Sequence, residues 1–214
     1  MAKVICIAGE SGSGKTTSMR NLDPQSTYYI DADKKGLSWK GWRNQYCEKN
    51  KNYLKCDDAN IVRTYIKKLA ADCPRIRTIV VDTINGLMVA DEMRRSKEKG
   101  YDKWVDLATC VWDLIVECYD YRDDLTIVFT AHTQTETDDA GYRFTRIQTS
   151  GKKLNKIVLE SKFTTVLLSK CVDGKYLFET RANNSTAKSP MGAFEDFEIE
   201  NDIVKVIQAL EAVS

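Results

Sequence analysis

Lys3-Val-Ile-Cys-Ile-Ala-Gly-Glu-Ser-Gly-Ser-Gly-Lys-Thr16 is the stretch of this 214-residue chain that decides its fold. Lys3 to Ala8 is apolar without alternation, as a strand buried on both faces requires. Gly9 to Thr16 matches G-x-x-x-x-G-K-[ST] in full, and it follows a strand and opens a predicted helix, Thr16 to Leu22, that Asp23-Pro24 stops. Glycines let backbone N–H groups turn inward around phosphate oxygens, and a helix start adds the positive end of its dipole. Gly9, Glu10, Ser11, Gly12, Ser13 and Gly14 then form the cradle, with Thr17 behind it. Lys15 reaches the β- and γ-phosphates, and the Thr16 hydroxyl ligates magnesium. The expected ligands are ATP and Mg2+.

Working outward, short apolar runs alternate with longer amphipathic ones, the pattern of a parallel α/β sheet. Strands are expected at Thr27–Asp33, Thr78–Asp82 and Leu125–Ala131. Helices are expected at Asn60–Asp72, Trp104–Tyr121 and Asn201–Val213. Phe163–Lys170 and Lys175–Glu179 read as a hairpin turning at Asp173-Gly174. With no repeat and no low-complexity linker, residues 1–214 are expected to form one domain.

Asp82 closes the run Ile79-Val-Val-Asp82. Downstream of a complete phosphate loop it is expected to sit beside that loop and hold magnesium, directly or through water. Thr149-Ser-Gly-Lys-Lys153 is not a second loop of this kind, because Arg146 stands where the first glycine should be.

Hydrophobic residues make up 43% of the chain and charged residues 29%, with a net charge of +1, so the protein is no general polycation. The seven cysteines lie scattered without a C-x-x-C pair, and His132 is the one histidine, which excludes a clustered zinc site. The odd count and the lack of a secretion signal point to reduced thiols in a cytoplasm. Cys6, inside an apolar strand, is expected to fill core. The run Val4–Ala8 is too short for a signal peptide or a membrane span, and no later run is longer.

Four stretches carry a family resemblance: Tyr29-Ile-Asp-Ala-Asp-Lys-Lys-Gly36, Val81-Asp-Thr-Ile-Asn-Gly86, Ala131-His-Thr-Gln-Thr135 and Glu179-Thr-Arg-Ala-Asn-Asn-Ser-Thr-Ala-Lys188. From Val4 to about Ala193 the chain resembles the RecA-like recombinase core. Within that group it is similar to small phage-encoded RecA-like ATPases, AAA-type nucleotide-binding proteins that include single-strand annealing proteins of the Sak type. The resemblance implies an α/β, RecA-like P-loop NTPase core: a mostly parallel β-sheet flanked by helices, with a C-terminal β-hairpin. It puts Asp33 in the place of the water-activating carboxylate, although Asp33 also suits a cap on the following turn. His132 and Gln134 fall where a γ-phosphate sensor belongs, and either one can fill that role. Arg181 and Lys188 stand where a neighbouring subunit's cation completes the site. That placing implies a homo-oligomer with shared ATP sites, in a host bacterial cytoplasm if the chain is phage-encoded. The chain begins at the phosphate-loop strand, without the segment that links recombinase subunits, so no filament of that type is expected.

The same resemblance aims two segments at DNA. The first, Glu92–Lys103, contains Arg94 and Arg95, and its Lys/Glu alternation equally suits a solvated helix face. The second runs from Thr135 to Lys156 and carries Tyr142, Arg143, Phe144, Arg146, Lys152 and Lys153. Cations track a phosphate backbone and aromatic faces stack on unpaired bases, a mixture suited to single-stranded DNA. A single-strand-binding protein is a further expected partner. The leading reading is an ATPase that promotes annealing or strand pairing. The alternative is a small-molecule or nucleotide kinase using the same loop.

Overall fold

The computed structural model describes residues 1–100, 102–137, 139–149 and 158–213. One nine-stranded sheet organises them. Its strands are β1 (Lys3–Gly9), β2 (Thr27–Asp31), β3 (Tyr53–Lys55), β4 (Thr78–Asp82), β5 (Thr126–Thr137), β6 (Arg143–Ile147), β7 (Thr165–Val172), β8 (Lys175–Glu179) and β9 (Glu198–Glu200). The order across the sheet is β3-β2-β4-β5-β1-β7-β8-β9, with β6 paired to the far end of β5. From β3 to β7 the pairings are parallel, and β5–β6, β7–β8 and β8–β9 are antiparallel. This is the mostly parallel α/β architecture that the sequence implies, closed by a hairpin at its C-terminal side.

The central strands are buried on both faces, and their side chains alternate between two cores. Val4, Cys6, Ile79, Val81, Ile127 and Phe129 face the first core, as do helices α2 (Ala59–Asp72), α3 (Ile84–Arg94) and α4 (Asp102–Glu117). Ile5, Ile7, Val80 and Val128 face the second, with Met19, Leu37, Tyr46 and the C-terminal helix, Ile203–Ala212. Cys6 is fully buried among the first set, as a core filler should be. Asp58 caps α2, accepting from the N–H groups of Asn60 and Ile61. In the β7–β8 turn, Asp173 (φ 51°) and Gly174 (φ 77°) are both left-handed, the conformation that a tight two-residue hairpin needs.

The structure departs from, or adds to, the sequence reading at four places. The predicted helix Thr16–Leu22 is only a 3₁₀ turn, Thr17–Met19. Ser18 Oγ donates to the Lys15 carbonyl at 2.6 Å, and the N–H groups of Met19, Arg20 and Leu22 bond three residues back rather than four. A hydroxyl that competes for a carbonyl in this way tightens a turn and discourages a full helix. Within the segment 135–156, the end of β5 and β6 build a hairpin. Glu92 to Arg94 belong to α3. The region between β2 and α2 contains a short helix, α1 (Trp42–Gln45), and the edge strand β3, neither of which was expected.

Phe129 is fully buried and meets Phe163 edge-on, with ring centroids 5.9 Å apart. Phe129→Ala should cost about 3–5 kcal/mol. The readout is a lower denaturant midpoint at an unchanged m-value.

Candidate active site

The strands end together, and that brings the site together. Gly9 pairs in register with His132, and Asp31 with Asp82, at the C-terminal edge of the parallel strands. In open α/β sheets that edge is where ligands bind.

The phosphate loop leaves β1 at Gly9 and is held from outside. Ser169 Oγ on β7 donates to the Ser13 carbonyl at 2.7 Å. Gly14 has φ +97°, and a Cβ there would come within 2.7 Å of the Tyr176 ring, so only glycine fits. The Lys15 ammonium, in a residue only 6% exposed, donates to the carbonyls of Gly9 at 2.8 Å and Glu10 at 2.7 Å. Burial lowers its pKa to about 8, assisted by the charge of Lys35 and opposed by Asp82. The Ser13 hydroxyl is buried and has no hydrogen-bond partner among the described residues.

Asp82 is 3% exposed and accepts from three hydroxyls. Thr16 Oγ1 donates to its Oδ2 at 2.8 Å, Tyr29 OH to the same oxygen at 2.7 Å, and Thr130 Oγ1 to its Oδ1. Burial and then the Asp82 charge hold the Tyr29 phenol well above its usual range, so it stays a donor. Thr16 and Asp82 are thus adjacent, as a shared magnesium site needs, and both offer the hard oxygen ligands that Mg2+ takes.

Asp33 lies just past β2. Lys35 Nζ bonds its Oδ2 at 2.5 Å, and Thr83 Oγ1 donates to its Oδ1 at 3.1 Å. Gly86 on α3 packs so close that a Cβ there would come within 2.3 Å of Asp33 Oδ1. Asp31 is buried and already occupied, accepting from Tyr53 OH at 2.6 Å and from the Gly36 N–H at 2.8 Å. His132 is half-buried at the end of the β1 register, and its N–H donates to Asn85 Oδ1 at 2.7 Å. Its pKa is lowered, first by burial and then by the nearby Lys15 charge. Gln134 Nε2 bonds Glu136 at 2.8 Å, two residues further along β5.

The other predicted residues lie farther out. Arg181 is exposed after β8, with Nη2 donating to the Glu195 carbonyl at 2.5 Å, and Lys188 forms a bridge with Val166. Arg94 pairs with Asp57 at 3.1 Å, and Arg95 with Glu98 at 2.8 Å and Asp106 at 3.1 Å. Tyr142 and Arg143 are exposed at the β5–β6 hairpin, Phe144 is half-buried, and Arg146 lies 3.7 Å from Glu136. Lys152 and Lys153 lie outside the described residues.

Tyr29, Ser169 and Tyr176 were not picked out from the sequence. Tyr29 had one signal: it stands two places before Asp31, so strand alternation puts both on one face. A cleft of about 550 Å³ opens beside the loop, lined by Thr17, Arg20, Tyr176, Leu177 and Glu200 among others.

A phosphate loop after β1, a hydroxyl-bound aspartate at the end of β4 and a mostly parallel sheet define a P-loop ATPase. The model of an AAA-domain family matches residues 1–190, and the chain belongs to that family. A solved structure, the KaiC-like protein PH0186 of the hyperthermophilic archaeon Pyrococcus horikoshii OT3, is similar at 12% identity with a TM-score of 0.46, over 82% of this chain and 76% of that one. No curated protein matches. Among the described residues, no helix is long and apolar enough to cross a membrane.

The lowered Lys15 pKa has a measurable consequence. A triphosphate binds the ammonium form, and in the free protein that form is lost as pH rises through about 8. ATP affinity should therefore be flat below about pH 7 and fall toward tenfold per pH unit above about pH 8. Titration calorimetry should show proton uptake on binding in that upper range. A flat affinity profile, with no proton uptake, would contradict the assignment.

Proposed function

We propose that this chain is a magnesium-dependent ATPase that couples nucleotide turnover to binding of single-stranded DNA, in annealing or strand pairing. One observation carries the reading. β5 runs unbroken from Thr130, bonded to the magnesium-site aspartate, past His132 and Gln134 to a hairpin bearing exposed Tyr142 and Arg143. A strand that touches both ends can pass a change at the nucleotide to a surface suited to unpaired bases.

The nucleotide half rests on the loop. Lys15 exchanges its two carbonyl partners for β- and γ-phosphate oxygens, and the partnerless Ser13 hydroxyl supplies a spare polar group. The cleft beside Thr17 suits the nucleoside, with Tyr176, 44% exposed, as the stacking face. Thr16 and Asp82 would hold Mg2+, which supplies charge neutralisation on the phosphates. Asp33, with its carboxylate fixed by Thr83 and Lys35, accepts the proton of the attacking water. Arg181 on an adjacent copy would complete the site in trans.

Lys15→Ala should abolish turnover. Asp33→Asn should keep ATP binding and lose most hydrolysis, because only the proton acceptor is removed; a parallel loss of both would make Asp33 structural. On the DNA side, Arg143→Ala with Arg146→Ala should flatten the salt dependence of single-strand affinity by about two contacts. ATP binding should be untouched. An unchanged affinity and slope would remove the hairpin from the DNA path.

A further inference from the structure

The segment between β2 and α2 has its own charge pattern. From Gly36 to Lys55 it carries Lys40, Arg43, Lys49, Lys51 and Lys55 against one acid, Glu48. All five cations are exposed, and none forms an ion pair among the described residues. Arg94 and Arg95, by contrast, each lie against acids. Like charges left unbalanced on one short segment raise the local potential and attract a polyanion.

Aromatic residues interleave with these cations. Trp42 and Tyr53 pack with centroids 5.5 Å apart, and the Arg43 guanidinium lies 5.4 Å from the Trp42 ring centroid. Tyr28 and Tyr65 pair at 5.3 Å on the other side of the same edge. Between them runs a groove of about 660 Å³ that also takes in Lys51 and Lys55. It follows β3, the edge strand of the sheet, whose outer side pairs with no other strand among the described residues. Tyr28 and Tyr53 are buried in the groove's floor, while the part-exposed Trp42 and Tyr65 present ring surface for bases and the rim offers mobile ammonium groups for phosphates, the chemistry of a single-strand path. An acidic peptide would use the charges and leave the stacked guanidinium and ring faces without a role.

We infer that this edge groove is a second contact surface for single-stranded nucleic acid, centred on Arg43, Lys51 and Lys55. The inference rests on the proposed function for the class of partner and goes beyond it in place. β3 and β5 are separated by β2 and β4, so the groove and the strand that carries the hairpin are about three strand spacings, or roughly 14 Å, apart across the sheet, and the hairpin lies further along that strand.

The test measures fluorescence anisotropy of labelled oligothymidylate and oligouridylate at several salt concentrations. The proteins are the parent, the triple variant Arg43→Glu, Lys51→Glu, Lys55→Glu, and the hairpin variant Arg143→Ala, Arg146→Ala. A neutral triple, Arg43→Gln, Lys51→Gln, Lys55→Gln, keeps the result independent of added repulsion. The expected result is a loss of at least about tenfold in the reversal variant, a smaller loss in the neutral one, and a salt slope lower by about two in both. ATP binding should stay at the parental level, which also reports folding. The two oligonucleotides decide whether DNA or RNA is preferred, and either preference supports the groove.

If both triple variants bind like the parent while the hairpin variant does not, the groove inference is overturned and the hairpin reading stands. If the triples lose binding and the hairpin variant does not, the groove stands and the hairpin reading falls. Losses in both sets support both surfaces. A parent that binds neither oligonucleotide overturns both. Charge-dependent binding of polyglutamate or anionic vesicles by the groove, with oligonucleotide binding unaffected, assigns it to another partner and overturns the inference.

Discussion

A carboxylate buried in the middle of a sheet is expensive, and Asp82 is 3% exposed at the end of β4. Taken out of water without partners, such a charge costs several kcal/mol. Its stability therefore depends on donors brought to it by other elements. Thr16 comes from the phosphate loop, Tyr29 from β2 and Thr130 from β5. Each bond is charge-assisted, and losing one donor would leave the same charge undersatisfied. The requirement ties the loop to the two strands that flank β4. The registers Asp31 with Asp82 and Val81 with Phe129 then carry that alignment along the sheet.

The three aspartates of the site have different surroundings, and this separates their roles. Asp31 spends its Oδ2 on Tyr53 and the Gly36 N–H, which pins the chain as it leaves β2. Asp82 faces hydroxyls, which can reorient, and lies beside the residue that would share a cation with it. Asp33 alone is paired with an ammonium group, that of the half-exposed Lys35, and stands at the mouth of the site. A proton acceptor needs access to water and a fixed orientation. Of the three, only Asp33 combines partial exposure with two side-chain donors.

Much of this was legible in the sequence because local patterns set it. Continuous apolar runs marked β1, β4 and β5, and the glycine-rich loop with its lysine and threonine marked the phosphate site. Asp173-Gly174 marked the turn through its demand for positive φ. What was not legible depends on partners far apart in the chain. Tyr29 acts only because β4 lies beside β2, and Ser169 reaches Ser13 across 156 positions. β3 is three residues long and has too little periodicity to signal a strand. In the run Glu92–Lys103 composition displays the cations, and only the fold brings Asp57 and Asp106 to pair with Arg94 and Arg95. The five cations of the segment 36–55, read past in the sequence, form no ion pair among the described residues.

The clamping of the phosphate loop says what has to move when a nucleotide arrives. Ser169 holds the loop's carbonyl side, the Tyr176 ring covers Gly14, and Thr16 is tied to Asp82. The backbone cradle is therefore built before the ligand enters, so little ordering entropy is left to oppose binding. Lys15 is different. Its ammonium closes back on the Gly9 and Glu10 carbonyls, a buried charge held by the loop's own dipoles. Binding must trade those two bonds for phosphate oxygens, and the trade is favourable because a carbonyl offers only a partial charge where a phosphate offers a full one. On the proposed function, a preference for highly charged phosphates would follow from the same exchange. A neutral or singly charged ligand gives the lysine too little in return for leaving its carbonyls, whatever else fits the cleft beside Tyr176.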